Sequence, residues 1–136
     1  MSTPAALNKN KIVIGVDDQM ENIMILEALI EAQGYTFFGV GSGAEAISLA
    51  QRAGPRLILL DIQMPGLDGI ETCKRMRAIY TLKTVPIAFL TARKAPEDVR
   101  AGIAAGGNDF IVKPFDPEKL LSRVEHWTNR RLPAVT

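Results

Sequence analysis

Residues 57–69 read LILLDIQMPGLDG. Leu57, Ile58, Leu59 and Leu60 follow one another with no polar break. A strand buried on one face alternates apolar and polar residues, whereas a short unbroken apolar run suits a strand covered on both faces. The run stops at an acidic residue, Asp61. A loop marked by Pro65 and Gly66 follows. After Gly69 come Ile70, Cys73, Met76 and Arg77 at helical spacing. These residues spell one unit: buried strand, acidic end, short loop, helix.

The unit recurs along the chain. Residues 12–16 (IVIGV), 87–90 (IAFL) and 110–112 (FIV) are further apolar runs, and 35–40 (YTFFGV) is rich in aromatic and β-branched residues. Between them lie amphipathic segments. Ile23, Leu26, Leu29 and Ile30 form a stripe with Glu27 and Glu31 off it, and Gly34 stops that helix. Ser42 and Glu45 form an S-x-x-E capping box, in which each side chain satisfies a free amide. Behind it come Ala46, Ile47, Leu49 and Ala50, then Gly54-Pro55 as a stop. A fourth helix follows Pro96 and runs to Gly106-Gly107. A fifth opens on Asp116-Pro117, a cap residue with proline at the first helical position, and carries Leu120, Leu121, Val124 and Trp127. Strict alternation predicts an α/β fold with helices on both faces of a parallel sheet. With right-handed crossovers this becomes a flavodoxin-like, doubly wound three-layer sandwich of strand order 2-1-3-4-5.

Composition agrees. The chain has 136 residues, 47% apolar and 23% charged, which suits one soluble globular unit. We expect that unit over residues 10–130, with tails at 1–9 and 131–136 and no room for an output domain. A net charge of +1 argues against a dedicated nucleic-acid binder. The single cysteine forbids an intrachain disulfide. No secretory h-region and no membrane-length apolar run are seen, so a cytoplasmic location is expected.

Ligands of such sheets bind beyond the carboxyl ends of the strands. There the chain places Asp17-Asp18, Asp61, Thr91 and Lys113-Pro114, after the first, third, fourth and fifth strands. Any one of these could be a simple helix cap. Together they form a constellation. Three crowded carboxylates repel, so they must be protonated, hydrated or holding a cation. Hard oxygen donors suit Mg²⁺, with Mn²⁺ as a substitute. Asp61, on the central strand, is the candidate nucleophile for a phosphoryl group. Such transfer needs in-line positioning and cations around the equatorial oxygens. Lys113 supplies one positive centre, and Thr91 and an amide near Ala92 can donate hydrogen bonds.

The segment from Asp61 to Gly69 resembles the D-x-x-M-P-x-x-D-G signature of response-regulator receiver domains. Asp17-Asp18, Thr91-Ala92 and Lys113-Pro114-Phe115 match the family's other landmarks, and the spacings agree over residues 11–127. The resemblance implies a two-component phosphorelay switch, with no enzyme activity beyond its own phosphorylation and dephosphorylation. It implies that Asp61 accepts the phosphoryl group from a histidine kinase or a histidine phosphotransfer protein. Asp18 would bind Mg²⁺ directly, Asp17 through water, and the Gln63 backbone carbonyl would be a third protein ligand beside Asp61. Thr91 and Lys113 would contact the phosphoryl group, with Lys113–Pro114 as a cis peptide bond. Thr91 and Phe110 would form the switch, which changes the surface of the fourth helix, fifth strand and fifth helix for a downstream protein. Phe110 lacks the tyrosine hydroxyl often found there. Gln63 and Arg93 would tune dephosphorylation, with Arg93 screening the phosphoryl group. No direct DNA or membrane contact is implied, and the chain would be a monomer or a phosphorylation-dependent dimer.

Other readings compete. An aspartate-nucleophile phosphatase wants D-x-D after the first strand, where this chain has adjacent aspartates. A flavodoxin-like cofactor binder wants a Ser/Thr/Gly phosphate loop there, which Asp17-Asp18 would repel. A receiver fragment of a larger regulator shares every motif. Remaining residues take structural roles: His126 on the surface, Cys73 in the core, Met20, Met24 and Met76 in packing, and Asp68 as a turn or cap. Gly102, Gly106 and Gly107 weaken the fourth helix by propensity.

Overall fold

The chain, seen in a computed structural model, is described over residues 8–92 and 95–129. Its strands are β1 (Ile12–Val16), β2 (Thr36–Val40), β3 (Leu57–Asp61), β4 (Ile87–Thr91) and β5 (Asp109–Val112). They form one parallel sheet of order β2-β1-β3-β4-β5. The helices are α1 (Met20–Glu31), α2 (Gly43–Ala53), α3 (Gly69–Arg77), α4 (Pro96–Ala105) and α5 (Pro117–Thr128), with a 3₁₀ turn at Tyr80–Leu82.

Two cores, one on each face, account for the unbroken apolar runs. Alternate strand residues Ile14, Val16, Ile58, Leu60, Ile87 and Phe89 pack with Ala46 and Ala50 of α2, Cys73 and Met76 of α3 and Ala105 of α4. Their neighbours Val13, Leu57, Leu59, Ala88, Leu90 and Ile111 pack with Ile23, Leu26 and Ile30 of α1 and Leu120 and Val124 of α5. Each residue of β3 and β4 is buried, because each has a helix layer over it.

The helix ends follow local chemistry. Ser42 Oγ accepts a hydrogen bond from the Glu45 amide at 3.2 Å. Among the described residues the expected return bond from Glu45 is not seen, and that side chain is exposed. Gly34, Gly54 and Gly106 take the positive φ angles that helix exits favour. The Asp116 carboxylate caps α5 by accepting from the Glu118 and Lys119 amides, with Pro117 in the first turn.

Several expectations need correction. β2 begins at Thr36 rather than Tyr35, and β5 at Asp109 rather than Phe110. β3 and β4 each run one residue further, because Asp61 pairs with Leu90 and Thr91 with Val112 in the ladder. Met76 is buried, but Met20 and Met24 are 70% and 62% exposed and do not pack. The stripe of α1 is set by Ile23, Leu26 and Ile30, which leaves the two methionines on its outer side. Within the expected tail, Asn8 is buried and its Nδ2 donates to the Gln33 carbonyl at 2.8 Å. Residues 1–7 and 130–136 of the expected tails and domain end lie outside the described residues. Among the described residues no helix is long and apolar enough to cross a membrane.

Candidate functional site

Four strands deliver polar residues to the carboxyl edge of the sheet. Asp61 is the last residue of β3, and Asp17 follows β1 directly. Neither side chain has room to wander. The Asp17 Oδ1 accepts from the Gln19 amide at 2.9 Å, and the Asp61 Oδ1 from the Gln63 amide at 3.3 Å. Each is an aspartate bonding the backbone two residues on, a local turn that aims the carboxylate before any ligand arrives.

Lys113 joins the two. Its Nζ donates to Asp17 Oδ2 at 2.8 Å and lies 3.3 Å from Asp61 Oδ1. The lysine is held by the Lys113 amide, which donates to the Thr91 carbonyl at 2.8 Å. The Lys113–Pro114 peptide bond is cis. Among the described residues, the hydrogen bond and the ion pair to Asp61 both fall on Oδ1.

Electrostatics follow from this crowding. Burial, and then the Asp17 carboxylate, raise the Asp61 pKa from 3.8 to about 6, while Lys113 and the Gln63 amide pull it back down. The result is a carboxylate more basic than usual yet still mostly ionised at neutral pH.

Asp17, Asp18 and Asp61 each offer an oxygen, and these oxygens lie within 4.8 Å of one another. Oxygens on opposite sides of a Mg²⁺ ion stand about 4.2 Å apart, twice a bond of about 2.1 Å. The spacing therefore suits one such ion after a small side-chain rotation. Asp17 is buried and Asp18 exposed, so the open side faces water, which completes the shell of an ion of this kind. The donor set is all hard oxygen, which fits Mg²⁺ or Mn²⁺ and not a thiophilic metal.

The surrounding loop is tightly constrained. The Asp68 carboxylate caps α3 by accepting from the Glu71 amide at 2.8 Å. A methyl at Gly69 would lie 2.1 Å from the Asp61 carbonyl oxygen. The start of α3 thus passes against the backbone of Asp61, and the Gly69 amide donates to the Ile62 carbonyl at 2.9 Å. Sequence reasoning took Gly69 as the residue before a helix and as the end of the D-x-x-M-P-x-x-D-G segment, without a physical reason for glycine there. Its place in the D-G pair was the signal for close backbone approach.

Thr91 is buried at the end of β4. Phe110 is half-buried, its ring 5.3 Å from that of Phe89. Gln63 is exposed beside Asp61. Arg93 lies outside the described residues. Cys73 is buried and donates to the Ala105 carbonyl, and His126 is exposed with its ring edge-on to Trp127.

What sequence reasoning missed most is Arg77. It expected this residue only as one position of helical spacing. All five of its N–H groups donate, to the carbonyls of Leu82, Val85 and Gly106 and to Asn108 Oδ1.

Known proteins share these features. The model of the response regulator receiver domain matches residues 13–125. The chain is 34% identical over 120 residues to the response regulator PleD of Caulobacter vibrioides, covering 88% of this chain and 26% of that protein. It is 36% identical over 116 residues to the alkaline phosphatase synthesis transcriptional regulatory protein PhoP of Bacillus subtilis, covering 85% and 48%. The chain thus spans about a quarter to a half of these relatives. Among solved structures, the chemotaxis protein CheY4 of Vibrio cholerae superimposes with a TM-score of 0.83 at 32% identity, covering 86% of this chain and 98% of that one. The receiver domain of a Pseudomonas aeruginosa sensor histidine kinase does so at 0.82 and 31%, covering 88% and 98%, and holds a magnesium ion in its active-site cleft. With the 2-1-3-4-5 sheet, the acidic triad at its carboxyl edge and a family match over most of its length, this chain belongs to the response regulator receiver domain family.

Proposed function

We propose that Asp61 is the phosphoacceptor of a Mg²⁺-dependent phosphorelay switch. The observation that carries this is the placement of Asp61: it ends the central strand beside two more carboxylates and Lys113. In the reaction a bond forms from Asp61 Oδ2 to phosphorus as the bond from phosphorus to the donor's imidazole nitrogen breaks. Lys113 places an ammonium where the equatorial oxygens gain charge, and Thr91 offers a hydroxyl to the same group. Asp17, Asp18, Asp61 and the Gln63 carbonyl would hold the metal. When bound, that ion would neutralise charge on the phosphoryl group. Gln63, exposed beside Asp61, and Arg93, by its place two residues after Thr91 in the chain, would tune loss of the phosphoryl group, with Arg93 slowing it.

The donor is a histidine kinase or histidine phosphotransfer protein. A phosphohistidine must come within bonding distance of Asp61, so its protein must cover the rim of the site. α1 starts at that rim and exposes Met20, Met24 and Ile25, an apolar surface suited to such contact. The output is either the α4–β5–α5 face, altered through Thr91 and Phe110, or the phosphoryl group itself passed on.

The test is intact-protein mass spectrometry after incubation with acetyl phosphate, with and without Mg²⁺. One phosphoryl group should be gained by wild type with Mg²⁺ and none by Asp61→Asn. An equal gain in the variant would refute the assignment.

A further inference from the structure

We propose that Gly102 is the positioning residue for the Phe110 ring: by lacking a side chain in the second half of α4, it forms the notch in which that ring rests. The claim that the ring acts as a switch rests on the function proposed above, whereas the claim that the notch seats it stands on geometry alone.

Phe89 and Phe110 are paired across the β4–β5 ladder and project toward α4. Their ring centroids are 5.3 Å apart with planes inclined by 33°. Gly102 is buried directly over them. A methyl at this position would lie 2.6 Å from Phe110 Cζ, 3.0 Å from Phe110 Cε1 and 2.9 Å from Phe89 Cε2. Contacts this short require something to move.

Of the three parts that could move, the Phe89 ring, the Phe110 ring and α4 itself, two are held. Phe89 is fully buried, and a methyl at Gly107 would lie 2.2 Å from the same Cε2, so its ring is boxed from both sides. α4 cannot readily lift, because Arg77 Nε and Nη2 bond the Gly106 carbonyl at 3.0 and 2.8 Å, one turn beyond Gly102. Phe110 is half-buried on an edge strand and can rotate toward solvent. A side chain at 102 therefore expels the Phe110 ring. Glycine in a helix costs about fivefold in the folding equilibrium relative to alanine. The notch is the physical reason for glycine here, where propensity alone records only a weak helix. It stabilises the inward ring and so biases the balance of ring positions.

The test is a double-mutant cycle of Gly102→Ala and Phe110→Leu in the full chain, read by urea unfolding with EDTA. Leucine removes the Cε and Cζ atoms that a methyl at 102 would meet. Gly102→Ala should be better tolerated in the Phe110→Leu protein than in wild type, because only the 2.9 Å approach to Phe89 Cε2 remains there. The difference between the two backgrounds should be a coupling of about fivefold or more. Additivity within about twofold overturns the proposal. A second readout uses 4-fluorophenylalanine and ¹⁹F NMR, with the Phe110 signal identified by its loss in Phe110→Leu. Gly102→Ala should move that signal toward a solvent-exposed shift, and an unmoved signal overturns the proposal as well. Neither readout needs phosphorylation. Absence of Mg²⁺-dependent phosphorylation in wild type would strike the function proposed above, while the notch would still stand or fall by the coupling in the cycle.

Discussion

Asp61 sits where an ionised carboxylate is costly, between burial and the Asp17 charge, and its pKa is raised to about 6. The folded chain therefore holds the Asp61 proton more tightly than the unfolded chain does. The resulting stabilisation is complete below about pH 4 and is lost as pH rises through about 6. Asp61→Asn mimics the uncharged form at every pH. Without divalent ions, it should be more stable than wild type by about 1–3 kcal/mol at pH 7.5, with the gain fading toward pH 4. Urea unfolding across that range checks this, and a pH-independent difference would contradict it. Gly69 tells the complementary story. Its missing Cβ lets α3 start against the Asp61 carbonyl oxygen, which a methyl would meet at 2.1 Å. Backbone cannot give way as a flexible side chain can. Gly69→Ala should cost roughly 2 kcal/mol or more and lower phosphorylation by acetyl phosphate, because the strain falls on the backbone of Asp61, the proposed phosphoacceptor.

At the scale of elements, Arg77 fastens the end of α3 to the exits of the 3₁₀ turn and of α4. Burial pulls its pKa below the usual value, and no carboxylate compensates among the described residues; five carbonyl and amide oxygen contacts do so instead. An ammonium has three donors and no planar fork, so Arg77→Lys keeps the charge and loses the geometry. We expect it to destabilise by about 2–4 kcal/mol, read as an earlier urea midpoint with unchanged slope. Asp109 plays a similar part for β5 and α5. Its Oδ2 accepts from Trp127 Nε1 at 2.8 Å and from Arg123 Nη1 at 3.1 Å. Helix periodicity placed Trp127 on the apolar stripe of α5 correctly. Its hydrogen bond to a strand residue could not be seen in that periodicity, because β5 was expected to start one residue later.

For the whole molecule, the sheet gathers three carboxylates at one edge, and only the folded chain holds them together. A divalent ion should therefore stabilise the fold by mass action, about 2.7 kcal/mol at one hundred times its Kd. Thermal unfolding with rising Mg²⁺ should show an increasing Tm, and Asp61→Asn should show a smaller increase because one ligand carboxylate is gone. An equal increase in both would mean that Asp61 takes no part in the site. The order of strands, the layers and the residues at the carboxyl edge were legible in the chain itself. Apolar runs such as Leu57 to Leu60 declare burial on both faces, and in a parallel sheet each such run must end at the same edge. Distances across that edge were not legible. That Lys113 lies closer to Asp17 than to Asp61, that Gly102 rests on Phe110, and that Arg77 reaches Gly106 all join residues from different elements. Local sequence dictates periodicity and turn chemistry, which act over a few residues. The register and packing of one layer on another set which distant side chains meet, and only the tertiary structure decides that.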